Sequence, residues 1–517
     1  MSILPSTMSH TQILGFIAKM REFDQDDRYM AISDLLALLK DGMRTDGLEN
    51  EICTALLQRL DVDKSNDVQT ITISCLSELL KRCDGVLITG VCDALADRIL
   101  KTKSQIKDVY SIGLKTIIDI VPEASGRLVS SSLITSIITG ISQQEEVIKI
   151  EFLDILPKLL ARFGGVLDEH LPTITSVTLD QLKLGAVNVS KRASRVFFQL
   201  APWLSDGVLS SLVETLLRKI DNSFPDLPAE AQDSESSSDS SSSEDSDDDD
   251  DEQNVAPSAA PDVQSIAAVT ESVAPRLKAQ SSLIVKTMLK AIGRKKNKRM
   301  VSKAFIELRE QCFATIDACI RAQHDLGASL IKRIIDCGLT FLSFDPNFIE
   351  DSDSEDSDSD SSDDESDVSE DEVDQYDVEF EDSDDTSWKV RQSCLSLLSS
   401  LVGGSHQAVR EEGPAPTTPA ASPRRGDVNS TVVESAYLSV DAYGRCFRGV
   451  MARFGERVPA VQHAVLECLS AYVRFASAPP LGQLQSFRAT ATQIAPEIAS
   501  ASTKFLKTHC SQVRALY

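Results

Sequence analysis

A pattern of apolar and polar residues recurs along this chain at intervals close to forty residues. In each copy an apolar residue is followed by a polar one, and a second apolar residue comes eight positions later on the same face of a predicted helix. The first four copies begin at positions 68, 106, 148 and 189, so the steps are 38, 42 and 41 residues: Val68-Gln69 with Leu76, Ile106-Lys107 with Leu114, Ile148-Lys149 with Leu156, and Val189-Ser190 with Phe197. This period is typical of HEAT-like repeats.

Another apolar helix is predicted before each patterned helix, for example at Ile52–Leu60, Val91–Leu100 and Val208–Ile220. Neither helix of such a pair can bury its apolar stripe alone, whereas stacked pairs can. Three further copies of the pattern follow at wider spacing: Leu308-Arg309 with Ile316, Val390-Arg391 with Leu398, and Val461-Gln462 with Leu469. The sequence therefore predicts an all-α fold, an α-solenoid of helical hairpins, with Asn66 and Asp67 capping the first patterned helix.

Three segments interrupt the repeats and set the predicted domain boundaries. Residues 223–260 and 350–385 are rich in Asp, Glu and Ser, and residues 403–430 are rich in Pro, Ala and Gly. Such compositions predict disordered loops, which a solenoid tolerates because closure entropy grows slowly with loop length. HEAT-like repeats are predicted at 1–222, 261–349 and 431–517, with a single helix at 386–402. Because residue 517 falls within the first helix of a further repeat, we expect the last repeat to be incomplete and the chain to be a fragment, a truncated gene model or a split product.

The acidic charge of the chain is concentrated in two runs. The net charge is −27, yet Asp233–Glu252 holds 11 acidic residues and Glu350–Asp385 holds 21, which leaves 47 acidic against 52 basic residues elsewhere. The runs are interpreted as solvated charge, with loose calcium binding as the alternative. Serines in these runs that precede an acidic residue by three positions are predicted substrates of an acidophilic kinase of the casein-kinase-2 type, and the candidates are Ser241, Ser242, Ser361 and Ser362.

Residues with catalytic or metal-binding potential are sparse. The six histidines are scattered, and no phosphate-binding loop or nucleophile motif occurs, so we expect neither an enzyme nor a metal or other cofactor. The eleven cysteines include no C-x-x-C pair, which predicts buried thiols in a reducing compartment. No apolar run approaches the length of a membrane span, and the expected location is cytoplasmic and nuclear.

One dense basic patch lies at Gly293–Arg299. Its charged residues are Arg294, Lys295, Lys296, Lys298 and Arg299. A solvated turn between helices, a nuclear-import signal, a nucleic-acid contact and pairing with the acidic runs all remain open. Aromatic residues are not interleaved with the basic ones, so base stacking is not supported and no nucleic-acid partner is expected.

Two stretches that flank the second acidic run carry a family resemblance. They read SFDPNF at 343–348 and DDTSWKVRQSCLSLLSSLV at 384–402, with the motif residues Phe344, Asp345, Pro346, Asn347, Ser387, Trp388, Lys389, Val390 and Arg391. Together with the acidic run, they resemble the cullin-associated neddylation-dissociated (CAND) family. Weaker similarity extends from Asp26 to Val473. The resemblance covers only the N-terminal portion of that family, and Asp233–Glu252 is an additional acidic insertion.

The resemblance implies a non-catalytic regulator of cullin-RING ubiquitin ligases. In that family the N-terminal repeats lie along the C-terminal region of an unmodified cullin and its RING-box subunit, and the C-terminal repeats displace the adaptor during substrate-receptor (SCF-type) exchange. We therefore expect cullin and RING-box partners, no membrane, and a monomer when alone. Two alternatives stay open, a transport-receptor-like scaffold and an acidic chaperone-like scaffold for basic cargo. In both of these the acidic runs themselves would bind, so deleting them separates the hypotheses.

Overall fold

The computed structural model describes most of the helical part of the chain. The described residues are 9–45, 47–102, 106–183, 186–224, 249–293, 303–322, 325–344, 386–411, 438–456, 458–477, 489, 492–493, 496 and 499–500, with only the backbone described for 249–258, 404–411 and 477. Within these ranges the secondary structure is helical, and no β-strand occurs. None of the helices in the described part is long and apolar enough to cross a membrane.

The chain forms two compact units. The first comprises Met1–Lys219 and Pro261–Arg276, and the second comprises Ile220–Ala260 and Leu277–Tyr517. Five helical hairpins lie in the first unit: α1 (His10–Lys19) with α2 (Gln25–Lys40), α3 (Glu49–Val62) with α4 (Asn66–Leu80), α5 (Gly85–Lys101) with α6 (Lys107–Ile120), α7 (Glu123–Ile141) with α8 (Glu146–Phe163), and α9 (Leu171–Gln181) with α10 (Val187–Leu200). Two more helices contain the unit boundaries: α11 (Asp206–Ser223) and α12 (Asp249–Val273).

The hairpins of the first unit stack into two layers. The even-numbered helices α2 to α10 pack in succession and form what we call the second-helix layer, while the odd-numbered helices α1 to α9 form the first-helix layer. Apolar positions of the sequence pattern lie in the core between them, since Val68, Leu76, Leu114 and Leu156 are each 0 or 1% exposed. The predicted repeat of paired helices is confirmed.

The second unit has the same arrangement. Its hairpins pair α13 (Ser281–Ile292) with α14 (Lys303–Arg321), α15 (Ala328–Leu342) with α16 (Trp388–Glu411), and α17 (Val440–Met451) with α18 (Pro459–Ser477). Helices α14, α16 and α18 pack in succession, and aromatic side chains fill the last hairpin, where the ring centroids of Tyr443 and Tyr472 are 5.3 Å apart.

The polar residue of the repeat pattern has a recurring structural role. Gln69 and Gln462 donate from Nε2 to the carbonyl oxygens of Asp63 and Glu456, in the turns just before their helices, over 2.7 and 2.6 Å. Arg309 likewise donates from Nε to the carbonyl oxygen of Ile292, over 3.1 Å. Because turn carbonyls enclosed by packed helices have no access to water, each such bond satisfies a group that would otherwise destabilise the hairpin.

Other side chains connect each repeat of the first unit to the one before it. Arg162 donates to the carbonyl oxygens of Ile118 and Val121 at the end of α6, over 2.7 and 3.0 Å. Lys158 pairs with Asp119 over 3.0 Å. The two Arg162 bonds satisfy carbonyls that the last turn of a helix leaves without an intrahelical partner.

The structure differs from the sequence predictions at three boundaries. Helix α12 begins at Asp249, inside the segment 223–260 predicted to be a loop, because carboxylates stabilise a helix N-terminus and Ala259 and Val263 are buried. Helix α16 continues to Glu411, so the loop predicted at 403–430 is wrong for its first residues. The cap of α4 is Ser65, whose hydroxyl accepts from the Val68 N–H, rather than Asn66 or Asp67.

Candidate functional site: the base of the acidic segment and the second-helix layer

The residues on either side of the acidic segment 350–385 are bonded to one another in the second unit. Phe344 follows the end of α15, and its side chain is 2% exposed. Arg391, in the first turn of α16, donates from Nη1 to the carbonyl oxygen of Phe344 over 2.8 Å and to Ser387 Oγ over 3.2 Å. The described residues on either side of this segment therefore meet at one point.

A buried ion pair extends this connection to α17 and α18. Arg391 Nε lies 3.0 Å from Glu456 Oε2, and its Nη2 lies 3.3 Å from Glu456 Oε1. The two side chains are only 3 and 7% exposed, and Arg453 also pairs with Glu456 over 3.2 Å. A buried pair of this kind is strongly destabilised when one member is removed.

A second buried arginine holds the ring of Phe344. The guanidinium carbon of Arg309 lies 4.7 Å from the ring centroid of Phe341 and 5.2 Å from that of Phe344. The Phe341 and Phe344 rings are themselves 5.8 Å apart. Cation–π contacts in buried surroundings are stabilising, so both the backbone and the side chain of Phe344 are fixed.

The structure thus brings together part of the family motif. Phe344, Ser387 and Arg391 meet at the base of the acidic segment, Val390 is buried in the core, and Lys389 lies over the Trp388 ring with Nζ 5.8 Å from its centroid. Burial raises the pKa of Glu310 on the neighbouring helix α14, and Lys389 acts in the opposite direction. The described motif residues Phe344, Ser387 and Arg391 thus hold together the two sides of the segment.

Several predicted residues lie outside the described part of the chain. They are the motif residues Asp345, Pro346 and Asn347, the serines Ser241, Ser242, Ser361 and Ser362, and the basic residues Arg294, Lys295, Lys296, Lys298 and Arg299. Their proposed roles stay predictions. Two residues of the base, Arg309 and Glu456, were not predicted. Arg309 occupies the polar position of the repeat pattern and could have been found from it, whereas Glu456 carries no such signal.

The second-helix layer carries exposed arginine and apolar side chains. On α10, Arg195 is exposed and Phe198 is 37% exposed three positions later, so both lie on one face. Ile112 on α6 is 50% exposed, and Arg192 pairs with Asp154 between α10 and α8. Arginine and aromatic residues are enriched at protein–protein interfaces, which favours this face as a binding surface.

Few of the described residues are arranged for metal binding or nucleophilic catalysis. Among them, no group of three or more His, Cys, Asp or Glu side chains is placed to hold a metal ion. The ten described cysteines are free thiols, and all but Cys83 and Cys337 are buried. Burial raises the pKa of Cys75 and of Cys92 to about 12, so these thiols are poor nucleophiles at neutral pH.

Sequence comparison shows that the chain is similar to proteins named as cullin-associated. The chain is 31% identical over 402 residues to cullin-associated NEDD8-dissociated protein 1 of Dictyostelium discoideum, and 30% identical over 399 residues to cullin-associated NEDD8-dissociated protein 2 of Mus musculus. It is 26% identical over 404 residues to the Drosophila melanogaster protein 1. The chain is CAND-like.

This CAND-like sequence is similar to only part of each relative. The alignments cover 75 to 77% of the chain but 29 or 30% of the relatives' own length, which is consistent with a match to their N-terminal portion. No protein-family model matches the chain.

Solved structures confirm the fold of the CAND-like chain. Yeast importin-beta (Kap95p) aligns with 95% of the chain and 49% of its own length, with a TM-score of 0.53 and 10% identity. Importin beta crystallised from polyethylene glycol gives a TM-score of 0.51 over 93% of the chain and 51% of its own length, at 11% identity. At such low identity the likeness is one of fold, the predicted α-solenoid of HEAT-like repeats.

Proposed function

We propose that the chain is a non-catalytic assembly factor for cullin-RING ubiquitin ligases. It binds the C-terminal region of an unmodified cullin together with the RING-box subunit, and it regulates exchange of substrate-receptor modules of the SCF type. The observation that carries this proposal is the similarity of three quarters of the chain to relatives named as cullin-associated. We propose the cytoplasm and nucleus as its location.

The exposed face of the second-helix layer is the surface that we propose for the contact with the cullin. A stable interface between proteins buries more than about 1,000 Å², which requires several adjacent repeats. Helices α6, α8 and α10 pack in succession and together present Ile112, Arg195 and Phe198. The anchored acidic segment is accessory in this proposal.

Titration calorimetry with a purified cullin–RING complex tests the proposal. We expect binding to the unmodified cullin and much weaker binding once the ubiquitin-like modifier is attached, because the modification site would lie in the covered surface. Arg195→Glu should weaken binding by about tenfold, as expected for an interface anchor. The matched control is Arg127→Glu, which reverses an exposed charge on α7 in the first-helix layer and should leave affinity unchanged.

Deletion of the acidic runs distinguishes this proposal from the two scaffold alternatives. Deleting residues 233–248 and 350–385 removes most of both runs and leaves α12 whole. Retained cullin binding supports the helix-surface contact, whereas loss of binding with intact helicity favours a scaffold that binds through its acidic runs. If neither form binds a cullin, the ligase proposal is wrong although the fold remains.

A further inference from the structure

The first-helix layer contains a groove where two neighbouring helices diverge. Helices α3 and α5 are joined at their C-terminal ends, where Arg98 pairs with Asp61 over 2.7 and 2.9 Å and the Tyr110 hydroxyl donates to the same carboxylate over 2.9 Å. Between their N-terminal halves lies a space of about 700 Å³ that opens to solvent, which we call the α3–α5 groove. Ligand sites commonly have volumes of about 300–1,000 Å³.

The next pair of first-layer helices shows no such gap. At the N-terminal end of α5, a Cβ added to Gly85 would lie 3.0 Å from Ser125 Oγ of α7. On the groove side of α5, a Cβ added to Gly90 would have nothing within 4 Å. The groove is therefore a local separation of α3 from α5 rather than a general looseness of the layer.

Small and apolar side chains line the α3–α5 groove at helical spacing. From α3 come Cys53, Thr54 and Leu57, and from α5 come Gly90, Val91 and Ala94. On both helices these positions repeat at i, i+1 and i+4, so each set lies along one helix face. Such a lining admits an apolar side chain or a ridge of small ones from a partner.

Two carboxylates lie at the mouth of the groove. Glu49 and Asp84 stand at the N-terminal ends of α3 and α5. Although partial burial acts to raise it, the pKa of Glu49 is held below its usual value by hydrogen bonds from Thr45 Oγ1 and from the N–H groups of Gly47 and Glu49, and by the nearby Arg44 guanidinium, so Glu49 is ionised at neutral pH. Arg82, also in the lining, directs its guanidinium to the carbonyl oxygens of Leu39 and Met43 near the end of α2.

The two thiols in the groove are held in the neutral form. Burial is the main cause that raises the pKa of Cys53 to about 12 and that of Cys83 to about 11, and Glu49 contributes to both values. Asp84 contributes at Cys83 as well. Because burial penalises a charge of either sign, an apolar group suits the interior and a cation would have to lie at the mouth, beside the carboxylates.

We propose that the α3–α5 groove docks a peptide segment of a partner protein that carries an apolar side chain beside a lysine or arginine. The apolar side chain occupies the space over Cys53, Leu57 and Val91, and the cation lies against Glu49 and Asp84. This surface belongs to the first-helix layer, so it extends the molecule's interactions beyond the cullin contact proposed for the second-helix layer.

Two fluorescent probe peptides test the charge preference by anisotropy with the full chain. Each is a helical peptide of about fifteen residues built from Ala, Leu and Gln, with a single lysine in one and a single glutamate in its place in the other. The lysine peptide should bind about fivefold more tightly, the effect of one exposed charge contact. The double variant Glu49→Gln with Asp84→Asn should sharply reduce that difference, leaving only the weak attraction of the lysine to the acidic runs, and asparagine still caps α5.

A variant that fills the α3–α5 groove tests whether the peptide binds there. Gly90→Leu places a side chain in the open space and should weaken the lysine peptide at least about tenfold, since it removes the burial of one apolar side chain. Gly15→Leu is the matched control, because Gly15 is an exposed helical glycine of α1 whose added Cβ also meets nothing within 4 Å. Both variants retain the acidic runs, so weak attraction of the lysine to those runs is common to them. Unchanged cullin binding by Gly90→Leu would show that the two surfaces are separate.

Thiol protection gives an independent readout on the wild-type chain. Cys83 in the groove and Cys337 in the second unit are both half-buried, and mass spectrometry can follow their alkylation by N-ethylmaleimide separately. The lysine peptide should slow alkylation of Cys83 and leave that of Cys337 unchanged. Failure of the wild type to bind the lysine peptide, equal affinity of Gly90→Leu and Gly15→Leu, or unprotected Cys83 would each overturn the proposal.

Discussion

Arg391 donates a hydrogen bond from Nη1 to the carbonyl oxygen of Phe344, over 2.8 Å and across 47 positions of sequence. One guanidinium thereby joins the last described residue before the acidic segment to the helix after it. The same group is paired with Glu456, so three parts of the second unit depend on it.

Replacing Arg391 should destabilise the second unit. Arg391→Met leaves the Glu456 carboxylate buried without its main partner, and we expect the free energy of unfolding to fall by about 3–5 kcal/mol. Urea denaturation followed by Trp388 fluorescence in a Trp203→Phe background measures this, since the chain has two tryptophans. Arg445→Ala is the control, because the Arg445–Asp336 pair is well exposed and should contribute less than about 1 kcal/mol. Equal losses in the two variants would contradict the buried-pair argument.

The anchored base should make the acidic segment dispensable for folding. Replacing residues 350–385 with about six Gly and Ser residues shortens the connection between α15 and α16 roughly threefold, which lowers the entropic cost of closing this loop by about 1 kcal/mol. We expect unchanged helicity by circular dichroism and equal or slightly greater stability in urea. A marked loss of stability would mean that the segment makes contacts needed by the fold.

The burial of the apolar residues in the repeat pattern could be predicted from the sequence. The hydrogen-bond acceptors of its polar residues could not. Val68 and Leu76 lie where helical periodicity places them, because burial depends on spacing that the sequence displays directly. The hydrogen bond of Gln69 ends on the carbonyl of Asp63, and a backbone carbonyl carries no residue-type signal. Glu456 was missed because its partner lies 65 positions away. The start of α12 was missed because an acidic run favours both a loop and a helix N-terminus.

Because α7 and α8 pack closely at Gly140, we expect that this position does not tolerate a larger residue. A Cβ on Gly140 would overlap the ring of Phe152, which is 0% exposed. Gly140→Ala should therefore lower stability by about 1–3 kcal/mol through overpacking. Gly15→Ala, at the open position of α1, should instead raise it by up to about 1 kcal/mol. Thermal unfolding by circular dichroism compares the two, and stabilisation by both would show that the α7–α8 contact is looser than described.

Buried thiols predict a loss of stability at alkaline pH. Burial raises the pKa of Cys75 from 9.0 to about 12, so the unfolded chain releases this proton before the folded chain does. The stabilising effect of the neutral thiol is full below pH 9 and declines as pH rises from there toward 12. Between pH 7.5 and 10 each such thiol should account for about 1.4 kcal/mol of lost stability. Urea denaturation under reducing conditions should show a smaller drop for Cys75→Ala than for the wild type; an identical drop would rule out this thiol as a source.

Several of the bonds that link successive repeats of the first unit have their donor on the later repeat. Arg82 reaches back to Met43, Arg98 to Asp61, and Arg162 to Val121, so each of these donors is synthesised after its acceptor and 37 to 41 positions from it. Arg28 and Lys107 instead donate forward, to Asp63 and Glu145. A ribosome makes the N-terminal repeats first, and a repeat that has emerged finds its partner already folded. Each hairpin can therefore dock as soon as it leaves the exit tunnel, and translation itself sets the order in which this unit is assembled.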